Sequence, residues 1–355
     1  MNEEIKPGLF GQKHSSRDYT KAESWGKNQF NNSFPASLVA YMFKNGLKPV
    51  YIFTDKNNEI SHEYIDAKKL LGINPLSDDA YYNFEAIFKP YKQFYKGTPE
   101  KIDLVMLNKK SKKALRGLEI KLTALPDNTT SSLEESMWGP EIVIRPPTIN
   151  FLVCSICSNY NTVEGKNSLR KLLSNVPQIN YWEDEGIVRP YYSQIKECVL
   201  AVSKDMCRKQ KPLIIQPIWK TEGKKMKLCE NCLDVFVWSD ISVIQMCCME
   251  EYNNIHKLNR FNRTIIWIYK MLLDFVNYGK FDYKRVIRLM SFNLANDRAF
   301  ALPGNSLRGF LHEEELLKPR ILKSEIKKII LGGGQNMLSP ERRFDAVLVN
   351  SPDIF

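Results

Sequence analysis

Runs of apolar residues divide the chain into strand-like and helix-like segments. Four runs have the length and the β-branched or aromatic content of strands: PVYIFTD (49–55), KIDLVML (101–107), GLEIKLTAL (117–125) and PLIIQPIW (212–219). The longer run RTIIWIYKMLLDFVNYG (263–279) has helical spacing and ends in glycine. Strands and helices that follow one another in this way predict an α/β fold.

Weaker patterns complete the prediction. The polar residues 10–33, with single aromatics among them, suit either an extended arm lying on another surface or a solvated loop. The sequence also predicts helices at 34–45, 63–71, 80–90, 167–176 and 324–331 and at the start of 283–297, a central strand at the end of 141–156, and strands at 233–246 and 344–349.

Three charged residues interrupt the apolar runs 101–107 and 117–125, which we predict to form a β-hairpin. Asp103 lies in the first run, and Glu119 and Lys121 lie in the second. Residues two apart in a strand share a face, so Glu119 and Lys121 project together while Leu118, Ile120 and Leu122 face the core. If the two strands are adjacent, Asp103 reaches the same edge.

Two carboxylates and one ammonium group suit a metal-dependent hydrolase. Mg²⁺ binds one or two protein carboxylates together with waters and phosphate oxygens, and a nearby lysine can orient the attacking water or stabilise negative charge. A cross-face ion pair on a surface strand explains the same residues equally well. The cost of placing charges in otherwise apolar runs favours pairing or metal binding.

The spacing Asp-x15-Glu-x-Lys resembles the PD-(D/E)xK nuclease superfamily. The segments GLFGQKHSSRDYTKAESWGKNQFNNSFPASL, PYKQFYKGTPEKIDLV and RGLEIKLTALPDNTT are similar to the HindVP/HgiDI-like family of type II restriction endonucleases. The resemblance implies a restriction-endonuclease-like core, with a mixed central sheet flanked by helices and additional C-terminal elements for DNA recognition. It also implies a homodimer that cleaves double-stranded DNA at a six-base palindrome of the GRCGYC type.

Carried over to this sequence, the resemblance makes Asp103 and Glu119 ligands of Mg²⁺ and Lys121 the catalytic lysine. The proline that precedes the aspartate in the superfamily is absent, because Ile102 occupies that position. Glu85, which we place in the predicted helix 80–90, is a candidate for an additional carboxylate or a helix-surface residue. A DNA methyltransferase is expected as a genetic neighbour and not as a bound partner.

Charge is uneven along the chain, which has 51 basic and 40 acidic residues in its 355 residues. Residues 204–355 contain 25 basic and 17 acidic residues, whereas residues 1–150 contain 21 and 18. We therefore expect residues 1–200 to hold the arm and catalytic core and residues 201–355 to serve DNA recognition or dimerisation, although one integrated domain is an alternative.

Several basic residues are candidates for DNA contacts. Arg145 precedes two prolines that fix its backbone, and a basic segment connects the two hairpin strands. That segment either contacts phosphates near the cut or forms a solvated loop. Its basic residues are Lys109, Lys110, Lys112, Lys113 and Arg116.

The pairs Cys154–Cys157 and Cys229–Cys232 have the Cys-x-x-Cys spacing of zinc ligands, but the long interval between the pairs and the apolar setting of the first favour buried thiols. No run of about 18 apolar residues and no secretion signal occurs, so we expect a cytoplasmic protein without membrane association. The main prediction is a Mg²⁺-dependent type II restriction endonuclease. The alternatives are a structure-specific repair or junction-resolving nuclease, a non-catalytic DNA-binding protein and a zinc-dependent binding module.

Overall fold

The computed structural model describes residues 9–19, 21, 27–124, 142–222, 227–249, 258–292, 300–302 and 318–331. The strands in these ranges are β1 (Val50–Thr54), β2 (Ile60–Tyr64), β3 (Ala80–Ala86), β4 (Ile102–Asn108), β5 (Ala114–Ile120), β6 (Thr123–Ala124), β7 (Ile142–Ile144), β8 (Pro212–Glu222), β9 (Lys227–Ser239), β10 (Phe300–Leu302) and β11 (Ile321–Leu322). The helices are α1 (Lys27–Lys44), α2 (Ala67–Leu71), α3 (Pro146–Asn159), α4 (Val163–Leu172), α5 (Glu185–Val188), α6 (Tyr192–Met206), α7 (Asp240–Met249), α8 (Arg260–Tyr278), α9 (Tyr283–Leu289) and α10 (Lys323–Leu331).

Within the described ranges, nine strands form one mixed sheet in the order β2-β1-β9-β8-β5-β4-β3, with β11 beside β9 and β6 beside β8. β3, β4 and β5 are antiparallel neighbours, whereas β5 and β8 run parallel. β8 and β9 are antiparallel, whereas β1 and β9 are parallel. The predicted α/β class, a mixed central sheet flanked by helices, is confirmed.

Two hydrophobic layers cover the two faces of the sheet. The first layer contains Ile214, Phe236 and Trp238 from the sheet, and α3, α6, α7 and α8 pack against it and one another. The second layer contains Leu118 and Ile120, together with residues of α1, α2 and α10. Successive side chains of a strand point to opposite faces of the sheet, so every second residue of a strand belongs to the same layer.

Strands from both sides of residue 200 belong to this sheet. β5 pairs with β8 along Glu119 and Ile120, and β1 pairs with β9 along Val50–Ile52. Part of the predicted arm also joins the sheet, because Ser15 bridges to Tyr82 and the N–H of Ser16 donates to the carbonyl of Tyr82. The segment 9–19 therefore lies on the protein's own surface at the β3 edge.

Several predicted elements were wrong in type or extent. The aromatic run 80–95 forms β3 and a short 3₁₀ helix at Lys89–Tyr91, where a helix was expected. The end of 141–156 forms α3 in place of a central strand, since the two prolines occupy the first helical positions, where their missing N–H groups cost nothing. The predicted helix 63–71 shortens to α2, and the second half of the predicted strand 233–246 forms α7.

The helix predicted at 34–45 is α1, which begins earlier, at Lys27, and contains Pro35 in its interior. Its stop at Gly46 is confirmed, because Gly46 has a φ of +70°. The helices predicted near 167–176, 263–279 and 324–331 and at the start of 283–297 are also present, as is the strand 212–219. The strand predicted at 344–349 lies outside the described residues. Among the described helices, none combines the length and the apolar character needed to cross a bilayer.

Candidate active site

The hairpin strands β4 and β5 separate at one end, and β5 changes partner there. Pairing between them runs from Leu107 with Ala114 to Leu104 with Leu118. From Glu119 onward β5 pairs with β8, beginning with Glu119 beside Ile214. We call the gap between β4 and β5 beyond Leu104 and Leu118 the fork. A crevice at a point where a strand changes partner is a common location for ligand sites in α/β proteins.

Asp103 lies at the fork and replaces the missing backbone partner of β5. Its Oδ2 accepts a hydrogen bond of 2.8 Å from the backbone N–H of Ile120. This bond is possible because β4 and β5 no longer form their regular ladder at this position. It fixes the Asp103 carboxylate beside Glu119 and Lys121, the two residues that flank Ile120.

Glu119 and Lys121 form a nearly buried ion pair in the fork. The distance from Lys121 Nζ to Glu119 Oε2 is 3.1 Å, and the two side chains are only 11% and 7% exposed, respectively. Burial, helped by the neighbouring carboxyl of Asp103 and opposed by the charge of Lys121, raises the pKa of Glu119 to about 8. In the metal-free protein Glu119 therefore takes up a proton at a much higher pH than an exposed glutamate does.

The predicted core face of the second hairpin strand is confirmed. Leu118 and Ile120 are buried in the second hydrophobic layer, and Leu122 packs against it. Glu119 and Lys121 alternate with them and therefore face the first layer. The structure thus brings Asp103, Glu119 and Lys121 together.

The donor set of the fork suits a hard divalent cation. A carboxyl group whose pKa is raised, as that of Glu119 is, can exchange its proton for a cation, because metal ligands bind in their deprotonated form. Within the described ranges, no cluster of three or more His, Cys, Asp or Glu side chains has metal-binding geometry. A cation in the fork would take its remaining ligands from water and from a phosphate, which is the usual coordination of Mg²⁺.

Glu85 lies on β3, and not on the predicted helix. It stands opposite Asp103 in the β3–β4 register, between the pairs Phe84–Leu104 and Ala86–Ile102, and has a φ of +48°. Its Oε2 lies 2.9 Å from Nη2 of Arg17, whose side chain is 14% exposed. In this structure the Glu85 carboxylate therefore forms an ion pair with Arg17 of the N-terminal segment.

The basic connection between the hairpin strands lies at the opposite end of β4 from Asp103. Five residues of strand separate Asp103 from Asn108, which corresponds to about 17 Å at ~3.4 Å per residue. Lys110 forms an exposed ion pair with Asp79 at 3.2 Å. Lys112 and Lys113 are exposed, and Lys109 and Arg116 are half-buried. Contacts of this segment with phosphates would therefore fall away from the fork.

Arg145 is the residue immediately before α3. It is exposed and extended, with φ −120° and ψ 160°, and its backbone carbonyl accepts from the N–H of Ile149. The guanidinium group is thus presented at the surface between β7 and α3.

The cysteines considered as zinc ligands do not come together where the structure describes their side chains. Cys154 and Cys157 are buried in the first hydrophobic layer, on α3, whereas Cys232 is buried in the second layer. The sheet separates them, and burial raises the pKa of the Cys154 and Cys157 thiols. A zinc ion shared by the two pairs is excluded by this arrangement.

A polar residue near the fork escaped the sequence analysis. Gln216 of β8 is fully buried, and continuing the pairs of Glu119 with Ile214 and Ile120 with Ile215 places it beside Lys121. The N–H of Lys121 donates to the carbonyl of Ile215, which confirms the register. The available signal was a lone glutamine inside the apolar run PLIIQPIW, but its neighbour in the sheet could not be known from the sequence.

Comparison with known proteins gives a consistent family assignment. Residues 25–355 match the family model described as HindVP restriction endonuclease. The chain is 42% identical over 352 residues to "Type II restriction enzyme HgiDI" of Herpetosiphon aurantiacus, covering 99% of this chain and 97% of that protein. It is 39% identical over 358 residues to "Probable type II restriction enzyme HindVP" of Haemophilus influenzae, covering 99% and 96%. No solved structure matches the chain.

Proposed function

Because this chain belongs to the HindVP restriction endonuclease family, we propose that it hydrolyses DNA phosphodiester bonds in the fork, with Mg²⁺ as cofactor and Asp103, Glu119 and Lys121 as the active site. As a member of that family it is a type II restriction endonuclease, a site-specific deoxyribonuclease. The residue roles and the identity of the metal belong to the proposal.

One observation carries the assignment to these residues. The nearly buried pair of Glu119 and Lys121 meets the partly buried carboxyl group of Asp103 where β5 leaves β4 and joins β8. Burying charged groups costs free energy that a purely structural pair recovers only in part. A cation and a phosphate entering the fork would satisfy these charges, which supports a catalytic role over a structural one.

Each residue has a distinct part in the proposed hydrolysis. Asp103, whose carboxylate is held by the N–H of Ile120, and Glu119, in its deprotonated form, would hold the cation. When bound, Mg²⁺ neutralises charge on the phosphate and lowers the pKa of a coordinated water. Lys121, released from its pairing with Glu119, donates from Nζ to the oxygen on which negative charge develops.

We propose recognition of a six-base palindrome of the GRCGYC type by a homodimer, as the family resemblance implies. A two-fold symmetric site matches a two-fold symmetric pair of protomers, each presenting one fork to one strand. A DNA methyltransferase encoded nearby would protect the host's own copies of the site. We also propose a cytoplasmic location, because both enzymes would act on the DNA found there.

DNA recognition is assigned mainly to the basic C-terminal region after residue 200, with Arg145 as an additional contact and the loop of Lys109, Lys110, Lys112 and Lys113 reaching flanking phosphates. If the protein neutralises 6–10 phosphates, raising the salt concentration from 50 to 200 mM would reduce its affinity for DNA by a factor of about 10³–10⁵. Arginine is the side chain best suited to read guanine in the major groove.

Incubation of the purified protein with plasmid DNA and Mg²⁺, followed by sequencing of the ends, tests the proposal. We expect cleavage at one short palindrome, and no cleavage by Lys121→Ala, which should still bind the same DNA. Cleavage that depends on branched or flapped DNA would contradict sequence-specific restriction. Binding without cleavage in any divalent metal would contradict the hydrolytic role of the fork.

A further inference from the structure

Residues 91–101 and 279–285 are far apart in the sequence and adjacent in the structure. The N–H of Lys96 donates to the carbonyl of Phe281 at 2.7 Å, and the N–H of Phe281 donates to the carbonyl of Phe94 at 3.0 Å. These two bonds hold the segments side by side. The exposed side chains of the two segments therefore belong to one surface.

This surface lies beside the fork, because residues 87–101 connect β3 to β4 at the end of the sheet where Asp103 lies. Lys101 precedes Asp103 by two residues, so their Cα atoms are at most about 7 Å apart. At the other end of the connection, Phe88 packs so closely on Gly117 that a Cβ atom there would lie 2.8 Å from its Cγ. Gly117 precedes Glu119 by two residues and shares its face of β5.

Both segments are anchored in the first hydrophobic layer, which is the layer that Glu119 and Lys121 face. The buried side chains that anchor them are Tyr91, Phe94 and Tyr95 from the first segment and Phe281 and Tyr283 from the second. The exposed side chains of these segments thus lie on the same side of the sheet as the fork.

The exposed charged residues of the two segments are all basic. They are Lys92, Lys96, Lys101, Lys280, Lys284 and Arg285, which we call the basic surface. The acidic residues of the segments, Glu100 and Asp282, are half-buried and already engaged. Glu100 forms an ion pair of 2.7 Å with Lys284, and Asp282 accepts from the backbone N–H of Arg285 at 3.0 Å.

A surface of this kind fits a polyanion. Neighbouring like charges repel one another, and a surface that serves only solubility mixes both signs. Within the part of the chain that the structure describes, Lys284 alone among the six residues forms an ion pair. Flexible, exposed ammonium groups suit the phosphates of DNA, whose contacts position a protein on the duplex without carrying sequence information.

We propose that the basic surface binds the DNA phosphates that flank the one cut in the fork, and so holds the duplex over the fork without reading its sequence. The inference deepens the proposed function and rests on the fork being the nuclease site. It adds the connection between β3 and β4 to the DNA-binding surface of the protein.

The test measures single-turnover cleavage of a duplex that contains the mapped site, over a range of protein and salt concentrations in Mg²⁺. The half-saturating protein concentration reports affinity, and the rate at saturation reports the chemical step. Loss of two phosphate contacts in Lys92→Gln/Lys96→Gln should reduce the slope of log affinity against log salt by about 2. Affinity at 100 mM salt should fall by about 10- to 100-fold, while the rate at saturation stays near that of wild type.

A matched control removes the same charge from the other side of the sheet. Lys68 and Lys69 are exposed on α2, whose apolar residues belong to the second hydrophobic layer. Lys68→Gln/Lys69→Gln should leave both the affinity and the salt slope of wild type unchanged. Equal reductions in the two double variants would overturn the proposal, because they would show an effect of net charge and not of a contact.

Neutral methylphosphonate linkages, introduced one at a time near the cut, locate the contact. Wild type should lose affinity when a phosphate that flanks the cut is replaced, and Lys92→Gln/Lys96→Gln should be insensitive at the same positions. If wild type does not cut, the proposed function fails. If wild type cuts, Lys121→Ala does not and Lys92→Gln/Lys96→Gln keeps the wild-type salt slope, only the inference about the basic surface fails.

Discussion

The carboxylate of Asp103 accepts a hydrogen bond of 2.8 Å from the backbone N–H of Ile120, the residue between Glu119 and Lys121. A side chain of β4 thus takes the place of a backbone carbonyl group as hydrogen-bond acceptor, at the point where β5 stops pairing with β4 and pairs with β8. The bond ties the geometry of the fork to the identity of residue 103. Replacements of Asp103 should therefore affect chemistry and folding in separable ways.

Asp103→Asn should reduce cleavage by at least about 100-fold, because an amide is a poor ligand for Mg²⁺ compared with a carboxylate. The asparagine oxygen can still accept from Ile120, so the melting temperature should change little. Asp103→Ala should lose cleavage to a similar extent and also lose about 1–3 kcal/mol of stability through the unpaired N–H. Plasmid cleavage and urea unfolding measure the two effects. Equal stabilities of the two variants would contradict the role of the Ile120 bond.

The pKa of Glu119 predicts how the stability of the metal-free protein depends on pH. The group has a pKa of about 8 when folded and 4.5 as its ordinary value, so the folded state holds an extra proton between these limits. Its contribution to stability is fully present below pH 4.5 and is lost as pH rises to 8, by at most about 1.4 kcal/mol per pH unit. Urea unfolding in chelator at pH 5, 6, 7 and 8 should show this slope.

Glu119→Gln provides the comparison that isolates this group. Glutamine can still accept from Lys121 and carries no charge to repel Asp103, so the difference in stability between wild type and variant should grow in favour of the variant as pH rises. Burial also raises the pKa of Asp234 and of Asp240, but both remain in the variant and cancel in the difference. Parallel pH profiles for the two proteins would show that Glu119 does not titrate in this range.

The sequence alone predicted the hairpin and its three charged residues because both depend on a two-residue alternation between neighbouring strands. The apolar residues Leu118 and Ile120 identify the face of the strand that packs in the core. Glu119 and Lys121 alternate with them and therefore belong to the opposite face. Gln216 could not be placed in the same way, since its relation to Lys121 arises from a pairing between strands far apart in the chain. The segments that form β3 and α3 were assigned the wrong type of secondary structure, because the spacing of apolar residues in these segments does not distinguish a strand from a helix.

The pairing of Glu85 with Arg17 predicts a small role in stability and not in metal binding. Both side chains are partly accessible, so Glu85→Gln and Arg17→Gln should each cost less than about 1 kcal/mol. Because either change breaks the same contact, the two variants should retain similar cleavage rates, within tenfold of wild type. A large loss of cleavage in Glu85→Gln with near-normal cleavage in Arg17→Gln would instead make Glu85 a third carboxylate of the site.

Close packing under the fork predicts that Gly117, two residues before Glu119, does not tolerate a side chain. A Cβ atom there would lie 2.8 Å from Cγ of Phe88. Gly117→Ala should therefore displace the Phe88 ring and cost about 1–3 kcal/mol, as for other overpacked positions. Denaturant unfolding measures the loss. Adding Phe88→Leu to Gly117→Ala should recover part of it, and two strictly additive losses would show that the ring is not the obstacle.

An ion pair between Arg320 and Asp234 helps to hold the C-terminal segment described by the structure on the sheet, in addition to the pairing of β11 with β9. It predicts a strong effect on stability that a second substitution partly reverses. Arg320 donates from Nε and Nη2 to the two carboxylate oxygens of Asp234, at 2.8 and 2.7 Å, and Nη2 also donates to the carbonyl of Lys48. The Asp234 side chain is only 5% exposed. Arg320→Met would leave that carboxylate buried without its partner and should cost about 3 kcal/mol.

Adding Asp234→Asn removes the orphaned charge, while the asparagine oxygen can still accept from the N–H of Val235. The double variant should therefore unfold at a higher denaturant concentration than Arg320→Met alone, although it lacks the same ion pair. Asp234→Asn in the wild-type background should instead be destabilising, because it weakens both hydrogen bonds from Arg320. If the double variant were less stable than either single variant, the loss would come from the contact of the Arg320 guanidinium with the Tyr64 ring and not from the buried charge.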